Sequence, residues 1–127
     1  MDHNEAARWY RLAADQGYGL AQARLGDYYS GGEGVVPDYA AAGAWYQQAA
    51  NRGYAAGMAG LGSLYATGRG VRQDTVQAYM WLQLAAGAGD WRAAKKRDVL
   101  AGQMKPGQIA EAQKLAHDWQ PPAAGVN

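Results

Sequence analysis

No cysteine occurs among the 127 residues, so neither a disulfide framework nor a thiolate metal site can form, and the redox compartment stays open. Charge of one sign is scarce as well. Twelve lysines and arginines against 11 aspartates and glutamates leave a formal net charge of +1. No global field then draws the chain toward nucleic acid or an anionic membrane, and any recognition by charge is local. Long apolar runs are missing too: the uncharged stretch from Tyr54 to Gly68 is too short for a membrane span and is diluted by Gly57, Gly60 and Gly62. It reads as a buried helix. The opening residues, Met1-Asp2-His3-Asn4-Glu5, lack the basic and apolar regions of a secretory signal. Either the protein is cytosolic or its signal has been removed.

Equipment for catalysis is equally thin. The two serines, Ser30 and Ser63, lie outside any Gly-x-Ser-x-Gly, and neither a Gly-x-Gly-x-x-Gly nor a phosphate loop occurs. His3 and His117 each stand near a chain end without a partner at ligand spacing, as solvated surface histidines do. No catalytic residue, metal ligand or cofactor site is expected.

What the chain has is a repeat. Trp45-Tyr46, Ala49-Ala50 and Gly53-Tyr54 echo Trp9-Tyr10, Ala13-Ala14 and Gly17-Tyr18, and return as Trp81-Leu82, Ala85-Ala86 and Gly89, at a period of 36 residues. Such self-similarity marks stacked supersecondary units, each unable to bury its apolar face without a neighbour. Asp2, Asp38 and Asp74 open the three segments as helix caps, with Glu5 and Gln77 three residues on completing capping boxes. Apolar residues follow at helical spacing until a glycine closes each segment. These are the B helices, and Trp9, Trp45 and Trp81 at one register on them read as core.

Between them lie A helices carrying Leu25-Gly26 with Tyr29, and Leu61-Gly62 with Tyr65. A glycine inside a helix costs roughly 1 kcal/mol against alanine, so Gly26 and Gly62 predict close approach of a facing B helix. The two tyrosines read as core whose hydroxyls reach a partner at its edge. Each A helix runs into a turn with a shared Gly-x-Gly-Val, ending at Val35 and Val71, which reverses the chain and tucks a valine inward. From about Asp90 to Gln103 the pattern degenerates, with Asp98 in place of the glycine. Lys105-Pro106-Gly107 then starts a last helix with Ile109, Ala112, Leu115, Ala116 and Trp119 on one face. It reads as a C-terminal cap, and residues 120–127 as a flexible tail.

Leu-Gly-x-x-Tyr, Gly-x-Gly-Val, an Asp before the second helix, Trp-Tyr and Ala-Ala-x-x-Gly together resemble the Sel1-like repeat, a relative of the tetratricopeptide repeat. The resemblance covers about residues 2 to 119. It implies an all-α fold, a right-handed α/α superhelix of antiparallel helix pairs whose A helices line a concave surface. It divides residues 2–119 into a half repeat (2–18), full repeats (19–54 and 55–89) and a degenerate repeat with cap (90–119). It also implies adaptor roles in bacteria, in the periplasm or the cytoplasm.

Rotation about the A helices from Leu25 places Leu20, Ala23, Asp27, Ser30 and Gly31 on the far face. The period carries these to Ala56, Ala59, Ser63, Ala66 and Thr67, then to Arg92, Lys95, Val99, Gly102 and Gln103. That face is the expected groove. Its walls are small, and one end is basic through Arg92, Lys95, Lys96 and Arg97, unless that run is an ordinary solvated helix face. The expected partner-binding residues are Asp27, Ser63, Thr67, Arg92, Lys95 and Lys96, and the expected function is non-enzymatic capture of a protein or peptide segment. Two other functions are weighed. Relatives in the repeat family suggest weak binding or hydrolysis of β-lactams or peptidoglycan fragments, against which the missing activated nucleophile argues. A fragment of a longer solenoid, with coding sequence upstream of Met1, is the third. The first B helix has no A helix before it, so its aromatic stripe is expected to stay open and to promote self-association.

Overall fold

The computed structural model describes residues 3–32 and 35–121, which form seven α-helices and no strand. In chain order these are α1 (His3–Asp15), α2 (Gly19–Tyr29), α3 (Tyr39–Asn51), α4 (Ala55–Thr67), α5 (Thr75–Gly87), α6 (Trp91–Ala101) and α7 (Pro106–Asp118). The B helices are α1, α3 and α5, the A helices α2, α4 and α6. Each packs on its neighbours in sequence, and α2 also touches α4. The result is an α/α solenoid. None of the described helices is long and apolar enough to cross a membrane.

The recurring Ala-Ala-x-x-Gly is the hinge from B to A. Gly17, Gly53 and Gly89 hold φ of 88°, 84° and 105°, and their N–H groups donate to the carbonyls of Ala14, Ala50 and Ala86. The next residue in each case, Tyr18, Tyr54 or Asp90, donates back to Ala13, Ala49 or Ala85. This double bond to the last turn needs a left-handed residue, which only glycine adopts without strain. The return from A to B is equally periodic: the N–H groups of Asp38 and Asp74 donate to the carbonyls of Tyr29 and Tyr65, at 2.6 and 3.0 Å.

Asp38 and Asp74 cap α3 and α5 by accepting from Ala41 N and Gln77 N. The predicted box at Gln77 is half made. Because Asp74 N already donates to Tyr65, the glutamine side chain has no donor left to satisfy. Asp2 lies outside the described residues, as do Glu33 and Gly34 of the first loop and residues 122–127 of the predicted tail.

Gly26 and Gly62 meet B helices as expected. A Cβ on Gly26 would stand 2.4 Å from the Tyr46 ring, and one on Gly62 2.8 Å from Leu82. Gly60 faces Tyr46 as well, at 2.5 Å, so that ring lies in a slot between two glycines on two A helices. The main core joins α3, α4 and α5 through Tyr46, Met58, Leu61, Leu64, Trp81 and Leu82.

The C-terminal helix departs from a repeat. It packs on α5 and hardly meets α6, with Trp119 edge-on to Trp81 at 5.7 Å and Gln113 donating to the Tyr79 hydroxyl. No helix therefore covers Asp98, which is exposed and paired with Arg97. An aspartate stands at the glycine register because the contact that requires glycine is missing.

Three core assignments need correction. Trp81 is 5% exposed but Trp9 is 64% exposed, because α1 has an A helix on one side alone. Trp45 lies between these, half-buried, with Arg11 stacked over its ring. The hydroxyls of Tyr29 and Tyr65 find no hydrogen-bond partner among the described residues; their main-chain carbonyls do the bonding.

Candidate functional site

Two adjoining cavities run along the A-helix face. The first, about 330 Å³, lies over α2 and α4 and is lined by Asp27, Ser30, Tyr46, Ser63, Thr67 and Lys96 among others. The second, about 520 Å³, opens between α4 and α6, where Ser63, Thr67 and Lys96 recur and Leu82, Lys95, Val99 and Leu100 join them. Shared walls make one continuous groove.

The first half is polar. Tyr46 is buried and donates its hydroxyl to Asp27 Oδ1 at 2.6 Å. Ser30 Oγ donates to the Asp27 carbonyl at 2.9 Å and stands 3.3 Å from the same hydroxyl. Burial first, and then the hydrogen bond to the Asp27 carboxylate, push the Tyr46 phenol well above its ordinary range. Arg24 stands 3.7 Å from the other Asp27 oxygen. The cluster fixes the groove wall, since each of its polar groups is used.

One period on, the cluster disappears as a unit. Asp27, Ser30 and Tyr46 correspond to Ser63, Ala66 and Leu82, and Gly60 corresponds to Lys96. Leu82 is smaller than the ring it replaces and carries no polar group. The second half therefore has an apolar floor with two ammonium groups at its rim. Lys96 Nζ donates to Ser63 Oγ at 3.4 Å, and Lys95 Nζ lies 5.1 Å from the centre of the exposed Trp91 ring. Among the described residues neither lysine is paired with a carboxylate.

Of the residues expected to bind a partner, Asp27, Ser63, Thr67, Lys95 and Lys96 line these cavities. Arg92 lines neither of them: its guanidinium stacks over Trp91, 5.4 Å from the ring centre. Two residues assigned to the open face by rotation also sit elsewhere. Ala23 is 1% exposed, and Arg24 takes the open register beside it. Leu20 faces a separate hollow with Tyr10, Tyr18 and Tyr54. Sequence reasoning missed Tyr46 and Leu82 as groove residues. Their signal was the 36-residue period itself: the one Trp-Tyr that turns to Trp-Leu is matched by Asp-to-Ser and Ser-to-Ala changes at the facing positions.

Chemically the groove offers donors, an apolar seat and cations. Lys96 reaches Ser63 as a donating ammonium, whereas a base would have to accept from the serine. Among the described residues no group of three or more histidines, aspartates or glutamates gathers to hold a metal.

Comparison with known proteins follows the same repeat. The Sel1 repeat pattern matches residues 2–18, 19–54 and 55–90. Among solved structures, c5321, a protective antigen of uropathogenic Escherichia coli with an SLR fold, superposes with a TM-score of 0.85 at 32% identity over 90% of this chain. A Sel1 repeat protein from Oxalobacter formigenes superposes with a TM-score of 0.73 at 29% identity over 91% of it. The chain spans 25% of the length of the first and 49% of the second. No curated protein matches the sequence.

Proposed function

The chain belongs to the Sel1 repeat family, and on that premise we propose that it is a non-enzymatic adaptor that holds an extended segment of a partner protein in the groove of α2, α4 and α6. Proteins of this family generally mediate protein–protein interaction. The observation that supports the groove as the site is the coordinated change along it: the helix-packing motif repeats, while Asp27, Ser30 and Tyr46 give way to Ser63, Ala66 and Leu82. Ser63, Thr67, Lys95 and Lys96 contact the partner, with Asp27 at the far end.

A photo-crosslinking amino acid placed at Thr67 or at the exposed Glu111 of α7 tests this reading in a bacterial lysate. Partner crosslinks from Thr67 and none from Glu111 are expected. Crosslinks from Glu111 alone would move recognition off the groove.

The open side of α1 supports self-association as a second property. Trp9 and Leu12 are 64% and 57% exposed, a density of large apolar groups that a second copy buries. Sedimentation over a wide concentration range is expected to show concentration-dependent dimers that Trp9→Ser with Leu12→Ser removes. A clean monomer at every concentration overturns it.

A further inference from the structure

We infer that the cavity between α4 and α6 seats the C-terminal residue of the captured segment, with an aliphatic side chain on Leu82, Val99 and Leu100 and the terminal carboxylate against the ammonium groups of Lys95 and Lys96. This assignment rests on the groove being the binding site and adds a direction and an end to what lies in it.

Three features carry it. The floor is apolar: Leu82 and Leu100 lie beneath Ala66 and the 70%-exposed Val99, in a space of about 520 Å³ that accommodates an aliphatic side chain. Rim charge is the second feature. Lys95 and Lys96 are held by an aromatic ring and a serine hydroxyl, contacts that position a cation without cancelling its charge. Arg97, one residue on, is already engaged by Asp98 and Gln83, which leaves the two lysines as the free charge of this rim.

The juxtaposition of floor and rim selects the ligand. An aspartate or glutamate side chain carries its carboxylate on a short stem and puts nothing apolar on the floor. At a chain terminus, carboxylate and side chain branch from one carbon, so both reach their places within a few ångströms.

The third feature is the neighbouring half. Beyond Ser63 and Thr67 the groove turns polar, with Asp27 and Ser30 on its wall. The lone pairs left on the Asp27, Ser30 and Ser63 side-chain oxygens accept from main-chain N–H groups of the preceding residues. A fatty acid, which shares the carboxylate and the apolar tail, has nothing to offer that surface.

Two random heptapeptide libraries, one displayed with free C-termini and one flanked on both sides, are selected against the full chain. Expected is enrichment from the first library of peptides ending in Leu, Ile or Val. Their synthetic acids should bind at least tenfold tighter than the matching C-terminal amides by fluorescence polarisation. Val99→Glu, an exposed change that leaves the fold intact by circular dichroism, and Lys95→Gln with Lys96→Gln should each weaken the acid at least tenfold. Amides that bind as well as acids, or enriched ends without aliphatic residues, overturn the assignment. Enrichment confined to the flanked library, with crosslinking to Thr67, also overturns it yet leaves the groove reading standing. Decanoate that competes as tightly as the best acid peptide reassigns the seat to a lipid-like acid and overturns it too. Absence from both libraries of any peptide that crosslinks to Thr67 overturns both readings.

Discussion

The α2–α4 cleft and the α4–α6 cleft are the same construction one period apart, yet the first holds an aromatic ring in its glycine slot and the second does not. In the first, the Tyr46 ring occupies the slot between Gly26 and Gly60 and its hydroxyl ends on Asp27. In the second, Leu82 meets Gly62 but Lys96 stands where Gly60 stood, and the space the ring would fill remains as the larger cavity. Exchange of one large side chain thus replaces a tyrosine-filled slot with an open apolar floor. The contact on the Gly26/Gly62 side is kept in both, and that contact sets how closely the helices approach.

The comparison is sharpened most by crowding each cleft in turn. Gly26→Leu drives a side chain into the Tyr46 ring and is expected to cost about 3 kcal/mol or more, whereas Gly62→Leu meets Leu82 Cγ and Cδ2 and the Ala78 carbonyl with an open cavity beside it and should cost about 2 kcal/mol. Thermal melts of the two variants decide it. Equal losses would mean that the clefts are equally packed.

Removing the hydroxyl alone comes next. Tyr46→Phe loses a buried hydrogen bond to a carboxylate, worth about 1.5 to 3 kcal/mol, while Leu82→Met at the equivalent place should stay under about 1.5 kcal/mol. The same tyrosine gives the clefts different pH behaviour. Its phenol titrates higher folded than unfolded, so the folded state retains its proton after the unfolded chain has begun to lose it. Its contribution is fully present below about pH 10, the ordinary tyrosine value, and declines as the pH rises above that. Tyr46→Phe should flatten the alkaline fall in melting temperature. A wild-type curve no steeper than that of the variant would remove Tyr46 from the account.

The smallest effect belongs to the groove rim. Arg69 lies over the Tyr39 ring at 5.3 Å on the edge of the filled cleft, in an exposed turn, and Arg69→Ala should stay within about 1 kcal/mol. A loss comparable to Gly26→Leu would place the rim in the core of the cleft.

How far each feature was legible follows from the range of the interaction that makes it. Helix ends, the left-handed glycines at 17, 53 and 89, and the Asp38 and Asp74 caps are contacts within a few residues, and a fixed period repeats them. Gly26 and Gly62 announced a helix approach because nothing local rewards a glycine there. Gln22 shows the opposite case. Nothing local in the sequence marks it for burial, yet it is 1% exposed and donates to the Ala14 carbonyl and to Gln48, a partner 26 positions along the chain.

The sequence by itself determined the repeat, its helix pairs, their caps and turns and the basic run at 92–97, since all of these are set by short-range sterics and hydrogen bonding repeated in phase. Tertiary structure alone decided the rest. Folding α7 onto α5 left Asp98 uncovered, and stacking over Trp91 kept Arg92 out of the groove. It also set a tyrosine in one cleft and a leucine in the next against different facing residues, which separates polar wall from apolar seat. These outcomes depend on which helix lies across which, a long-range arrangement that motifs repeated within a few residues do not specify.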